Sequence, residues 1–223
     1  MDMTPGNIVG MAVVKQLDVI ALTDHNSCKN CPAFLKIASD FGITAIPGME
    51  LCTSEEVHVV CLFPDLNEAM AFDRYVYNHL PPFPNEERIF GSQDICNEKD
   101  EIIGKETKLL INATDISFDQ VYNLVSAYHG IMIPAHMDKS SNSLISNLGF
   151  IPPDSEFTCA ELKDISKLAD LRKTNPYLNK CRVITSSDAH YLEYINEPVN
   201  FIHAKSKKIE DIFEALVNPK TLQ

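Results

Sequence analysis

Short apolar runs that recur between amphipathic stretches constrain this chain more than any other feature. "LDVIAL", "ITAIPG", "VHVVCLF", "GIMIPAH", "FTCAELK", "CRVIT" and "VNFIHAK" have the length and β-branched content of strands. Between most of them lie helical patterns such as "CPAFLKIASDFG", "FDQVYNLVSAYHG", "SSNSLISNLG", "ISKLADLRK" and "KKIEDIFEALVNP". Apolar runs of this kind belong to strands covered on both faces, so their order predicts an α/β architecture with a mostly parallel sheet under helices. "TPGNIVGMAVVKQ" opens the chain as a helix, with Thr4 as N-cap and Pro5 at the first helical position. The spacer "SEE" between "MELCT" and "VHVVCLF" predicts an antiparallel return, and Ser117 caps the helix that follows it. Residues 81–108 break the alternation and read as an inserted hairpin that turns at Asn97 to Asp100 and lies over one face. Otherwise residues 1–223 read as a single domain.

In parallel α/β architectures the loops after the strands open on one face, and functional groups collect there. Here "VIAL" runs into Thr23, Asp24 and His25, "TAIPGM" into Glu50, "IMIPA" into His136, and "VITSS" into Asp188 and His190. His58 begins the strand expected to pair with the one carrying Glu50. Any one of these residues alone is a cap, a turn or a hydrogen-bond partner; Thr23, Asp24 and Asn26 are candidates for such supporting roles. Acids and imidazoles gathered from several strand ends, however, repel or go unsatisfied unless cations lie between them. Imidazole and carboxylate donors without an assigned thiolate suit zinc, manganese or iron. Lys139, three residues after His136, is placed to reach a substrate phosphate. His79, His129 and His203 lie outside the set, with His203 expected inside the last strand, and Cys159 reads as a small buried residue.

Charge and cysteine content narrow the partners. With 19 Lys+Arg against 31 Asp+Glu the net charge is -12, which opposes a polyanion and sets nucleic acid aside as a partner. No apolar stretch approaches the roughly 20 residues needed to cross a bilayer, and "MDMTP" lacks the features of a signal peptide, so a cytoplasmic protein is expected. The 7 cysteines fit reduced thiols. Cys28 and Cys31 form one C-x-x-C without a second pair, which favours a helix start over a zinc or redox site. Oligomeric state is not readable.

The ordered set "TDHN", "IPGME", "VH", "PAH" and "SSDAH" resembles the PHP (polymerase and histidinol phosphatase) family, from about Thr4 to Lys205. The resemblance implies a distorted seven-stranded β/α barrel and a metal-dependent hydrolase of small phosphate esters. Such an enzyme attacks phosphorus with a metal-activated hydroxide and holds up to three divalent ions. It further implies that His25 and His190 share one ion, that Glu50 bridges two, that His58 and His136 complete the second, and that Asp188 binds the remaining one. Glu50, Asp188 and Lys139 are the expected catalytic residues.

One part of the family pattern is absent, because members open with a strand carrying an H-x-H motif and no His precedes His25 here. The expectation is that this first strand is encoded upstream of Met1, in a segment of about 20 residues at about 3.3 Å per residue. The alternative is a degenerate barrel with a non-catalytic or regulatory role. A nuclease or polymerase-associated module is a further alternative, and a C-x-x-C redox protein ranks behind these.

Overall fold

The computed structural model describes residues 2–218. Helix α1 (Pro5–Val14) starts as its sequence requires: Thr4 is extended and its hydroxyl accepts the Asn7 N–H, and Pro5 occupies the first turn. Strand β1 (Val19–Leu22) follows, then α2 (Cys31–Asp40), which stops at Gly42 in the left-handed region at φ 70°. Strand β2 (Thr44–Cys52) is buried along nearly its whole length and turns back into β3 (His58–Leu62), the antiparallel return expected from "SEE". After α3 (Leu66–His79) come the short helix α4 (Glu87–Phe90) and the hairpin β4 (Asp94–Cys96) and β5 (Ile102–Lys105). The hairpin turns at Asn97 to Asp100, where Asp100 N–H donates to the Asn97 carbonyl. The Asp100 carboxylate accepts the Thr4 hydroxyl at 2.6 Å and the Gly6 N–H at 2.8 Å, so the segment lies against the N-terminal end of α1.

The second half runs α5 (Phe118–Ala127), β6 (Ile131–Pro134), α6 (Leu144–Leu148), β7 (Cys159–Leu162), α7 (Leu168–Thr174), β8 (Arg182–Thr185) and α8 (Ile209–Val217). Ser117 caps α5 through a capping box with Gln120.

Three expectations are corrected. The main sheet is mixed rather than mostly parallel: its order is β1-β2-β3-β6, with β1 parallel to β2 and β3 antiparallel to both neighbours. Strands β7 and β8 form a separate parallel pair, so among the described residues there is no closed barrel and the seven-stranded form is not seen. "VNFIHAK" is not a strand; its Phe201 is 80% exposed, and His203 is exposed rather than inside a strand.

Two apolar layers explain why the strands read as buried on both faces. One face of the sheet packs under α1, α2, α3 and α5, through residues such as Val9, Phe34, Phe72, Val121, Val59 and Met49. On the other face Ile46, Leu62, Ile131, Ile133 and Cys159 pack against Ile212 and Leu216 of α8. Glu50 and Ile46 lie four residues apart on β2 and therefore share that second face. Helix α8 fills one end of this face, and the acid and imidazoles occupy the other.

Candidate metal centre

The chain brings His25 beside Glu50 by continuing the β1–β2 pairing past the end of β1. His25 and Glu50 form a parallel bridge, Asn26 N–H donates to the Glu50 carbonyl and Glu50 N–H to the Asp24 carbonyl, each at 3.0 Å. Asn26, at φ 47°, makes the turn away from the strand, and its buried amide bonds Cys52 N–H and the Leu110 and Asn112 carbonyls. His58 starts β3 opposite Cys52, and its carbonyl accepts Ala135 N–H, which places His136 directly behind it. His136 has φ 30° and Asp188 has φ 48°. Non-glycine residues rarely adopt this region, and such strain persists where surrounding contacts over-determine it. Residues at three of the loops that shape the centre are thus held in left-handed turns.

The Glu50 carboxylate sits among three imidazoles: Oε2 is 3.2 Å from His25 Nδ1 and 3.4 Å from His58 Nδ1, and Oε1 is 3.5 Å from His136 Nε2. The rings pack edge to face, with centroids 5.2 Å apart for His25 and His58 and 5.3 Å for His58 and His136. Burial opposes ionisation of Glu50, but the contacts of His136 and His58 and the charge of His25 outweigh it and hold the carboxyl well below the usual range. Burial pushes His25 down, against the opposing pull of Glu50. The cleft, of about 120 Å³, is lined by His25, Glu50, His58, His136, Lys139, Ser141, Asn142, Asp188 and His190. Every metal-ligating and catalytic residue expected from the sequence therefore faces one cavity. At its mouth Lys139 Nζ contacts Asp188 Oδ2 at 2.5 Å, and the exposed His190 leans toward His25 with ring centroids 5.9 Å apart.

The donor set fits a divalent ion. His25, Glu50 and His58 each offer a ligand atom, and these atoms lie within 4.8 Å of one another. The buried Nδ1 of His25, which faces Glu50 Oε2 at 3.2 Å, has no hydrogen-bond partner among the described residues. An orphaned nitrogen is costly in a buried site, and a cation satisfies the His25 nitrogen and the Glu50 carboxylate together. None of the residues that line the cleft is a cysteine, and burial pushes the Cys52 and Cys159 thiols up to about 12 and Cys181 to about 11. Cys28 and Cys31 lie buried where α2 starts, both donating toward the Gly48 carbonyl, which agrees with the helix-start reading.

Other residues fall outside the cleft. The Asp24 carboxylate accepts from Asn30 Nδ2 at 3.2 Å, and burial raises its pKa. His79 pairs with Asp115 and His129 with Glu68. One residue that sequence reasoning passed over belongs beside the centre. Glu161 on β7 is 5% exposed, accepts His136 N–H at 3.2 Å and accepts the Ser186 hydroxyl at 2.6 Å. Burial raises its pKa against the pull of those two bonds. The available signal was an acid inside the apolar run "FTCAELK".

Known proteins share this fold. The structure of the lesion-specific endonuclease PfuEndoQ from Pyrococcus furiosus matches 99% of this chain at 18% identity with a TM-score of 0.64. The chain spans 52% of that endonuclease, about half its length. A Bifidobacterium adolescentis structure named as a metal-dependent phosphoesterase matches 98% of this chain and 88% of its own, at 14% identity and a TM-score of 0.54. The uncharacterized protein MJ1587 of Methanocaldococcus jannaschii is 36% identical over 64 residues, which are 29% of this chain and 36% of that protein. No helix among the described residues is long and apolar enough to cross a membrane. A model of the PHP domain matches residues 2–193, most of the sequence, and the chain belongs to the PHP domain family.

Proposed function

We propose that this chain is a metal-dependent phosphoesterase that hydrolyses a small phosphate ester. The observation that carries the reading is the buried carboxylate of Glu50, enclosed by His25, His58 and His136 at 3.2 to 3.5 Å in a cleft that also admits Asp188, His190 and Lys139. His25, Glu50, His58 and His136 would hold one or two ions, and Asp188 with His190 would contribute at the mouth. Nitrogen and oxygen donors suit zinc, manganese or iron. Such ions supply Lewis-acid polarisation of a phosphoryl oxygen and activation of water at neutral pH. The chain's own groups do the rest. Lys139 offers an ammonium to the equatorial phosphate oxygens, and Ser141 and Asn142 line the same wall and orient the ester. His136 is 2% exposed, so on that side the phosphoryl group would meet fixed protein groups.

The likeness to PfuEndoQ favours a second reading, in which the ester is a phosphodiester of nucleic acid. One experiment separates them: protein loaded with zinc, manganese or iron is assayed on p-nitrophenyl phosphate, on bis-p-nitrophenyl phosphate and on lesion-bearing duplex DNA. Turnover of the monoester, reduced at least about 100-fold in Glu50→Gln with unchanged circular dichroism, is the expected result. Cleavage of DNA alone moves the second reading ahead, and no turnover with any metal rejects both.

A further inference from the structure

The centre is assembled from two sheets that share no ladder: His58 and Glu50 lie on the main sheet, His136 follows its last strand, and Asp188 and His190 follow β8 of the separate pair. The Lys139–Asp188 ion pair joins them at the mouth, and deeper in the site one side chain is bonded to both halves. Glu161 Oε1 accepts the backbone N–H of His136, and Oε2 accepts the hydroxyl of Ser186, two residues before Asp188. The Glu161 carbonyl also accepts Met137 N–H at 2.9 Å, so residues 136 and 137 are both tied to it. We propose that Glu161 is a positioning residue that fixes the His136 half of the centre to the Asp188 half, an inference that rests on reading the cleft as a metal centre.

Three features support it. His136 has φ 30°, a conformation that needs outside contacts to persist, and its N–H is the group Glu161 holds. Both Glu161 oxygens are engaged by protein donors at 5% exposure, which assigns the carboxylate to holding the ligand loop. Without it, the junction after β6 and the loop after β8 would be joined by the Lys139–Asp188 ion pair at the mouth, where Lys139 is 38% exposed, and a flexible lysine fixes the His136 backbone less well than a buried carboxylate bonded to it.

The test compares Glu161→Ala with Glu161→Gln. Glutamine can still accept the His136 N–H through its oxygen while its amide donates to Ser186 Oγ, so it retains the tie; alanine loses both bonds. Affinity for Co(II) or Zn(II), measured against a chromophoric chelator without any substrate, is expected to fall about 10 to 100-fold in the alanine variant. The Co(II) absorption bands should shift in the alanine variant, and the glutamine variant should stay near wild type in both measures. Equal affinity and unchanged bands in Glu161→Ala overturn the proposal. If alanine does not fold, Ser186→Ala cuts the tie to β8 alone: a several-fold loss of affinity supports the proposal and wild-type affinity overturns it. A wild-type protein that binds neither ion removes the metal reading and the proposal with it, a result distinct from normal binding without phosphatase turnover, which removes only the reaction.

Discussion

Adding one methyl group at Gly48 tests whether the centre depends on the close approach of three segments. A Cβ there would meet the Cys61 carbonyl oxygen at 2.8 Å, Leu62 Cδ2 at 2.9 Å and Thr23 Cγ2 at 3.1 Å. Gly48 lies opposite Leu62 in the β2–β3 ladder, two residues before Glu50. Cys61 belongs to the strand that His58 begins, and Thr23 is two residues before His25. The methyl group therefore presses apart the three chain segments that carry the first three ligands, and one of its contacts is a backbone atom that cannot rotate away. Overpacking of this kind costs about 1 to 3 kcal/mol. For a chain of this size that is a fall in Tm of about 2 to 12 °C. If part of the strain is relieved by moving His25 or His58, each 1.4 kcal/mol or so also costs about tenfold in metal affinity. Gly10→Ala is the control: it lies within α1 with nothing within 4 Å, so it should gain about 0.5 to 1 kcal/mol and melt higher. Calorimetric melts of chelator-treated and metal-loaded protein measure both terms. A Gly48→Ala protein that melts at or above wild type, with unchanged metal affinity, would refute the close packing of the centre.

Two further outcomes follow from contacts already described. Asp100→Gly accommodates the φ of 59° but loses the carboxylate that caps α1, which has no acidic residue in its own first turn, so stability should fall by about 0.5 to 2 kcal/mol in denaturant titrations. The metal-free protein should weaken on acidification. Glu50 is held below its ordinary value near 4.5, so its contribution is complete above that pH and is lost as pH falls through its lower, folded-state value. His25, held below 6.5 because burial favours the neutral ring, acts in the same sense from a higher pH: its contribution fades as pH drops below 6.5. Urea midpoints measured from pH 7 to pH 3 check this, and Glu50→Gln should flatten the acidic part of the curve.

Much of the fold was legible because local signals coincide with burial. Thr4 and Pro5 start α1, Ser117 and Gln120 box the start of α5, and the turn from Asn97 to Asp100 folds where its residues allow a left-handed φ. Strand direction was not legible. A continuous apolar run says only that both faces are covered, and here α8 covers one face while α1, α2, α3 and α5 cover the other, whichever way a strand points. β3 therefore carries the burial of a parallel strand while running antiparallel between β2 and β6. "VNFIHAK" misleads for the opposite reason: its composition is that of a strand, but Val199 and Phe201 are 65% and 80% exposed and no ladder forms.

The residues that line the cleft were readable for a different reason: most of them end or begin an apolar run, where a charged group has no local use, although β2 continues two residues past Glu50. Glu161 escaped that logic because it sits inside a run, and its partners, His136 N–H and Ser186 Oγ, are 25 residues away in sequence on either side. A carboxylate buried there costs several kcal/mol unless bonded, so its presence within "CAEL" already implied two donors from elsewhere. The donors turn out to be the residues next to the centre. The same economy holds at Asn26, which places its own amide on Cys52, Leu110 and Asn112 while its backbone turns the chain out of His25. Most residues of the cleft stand at or near strand ends and are visible in a single sequence. Those that hold the ligands in place are defined by partners distant along the chain, and three dimensions are needed to find them.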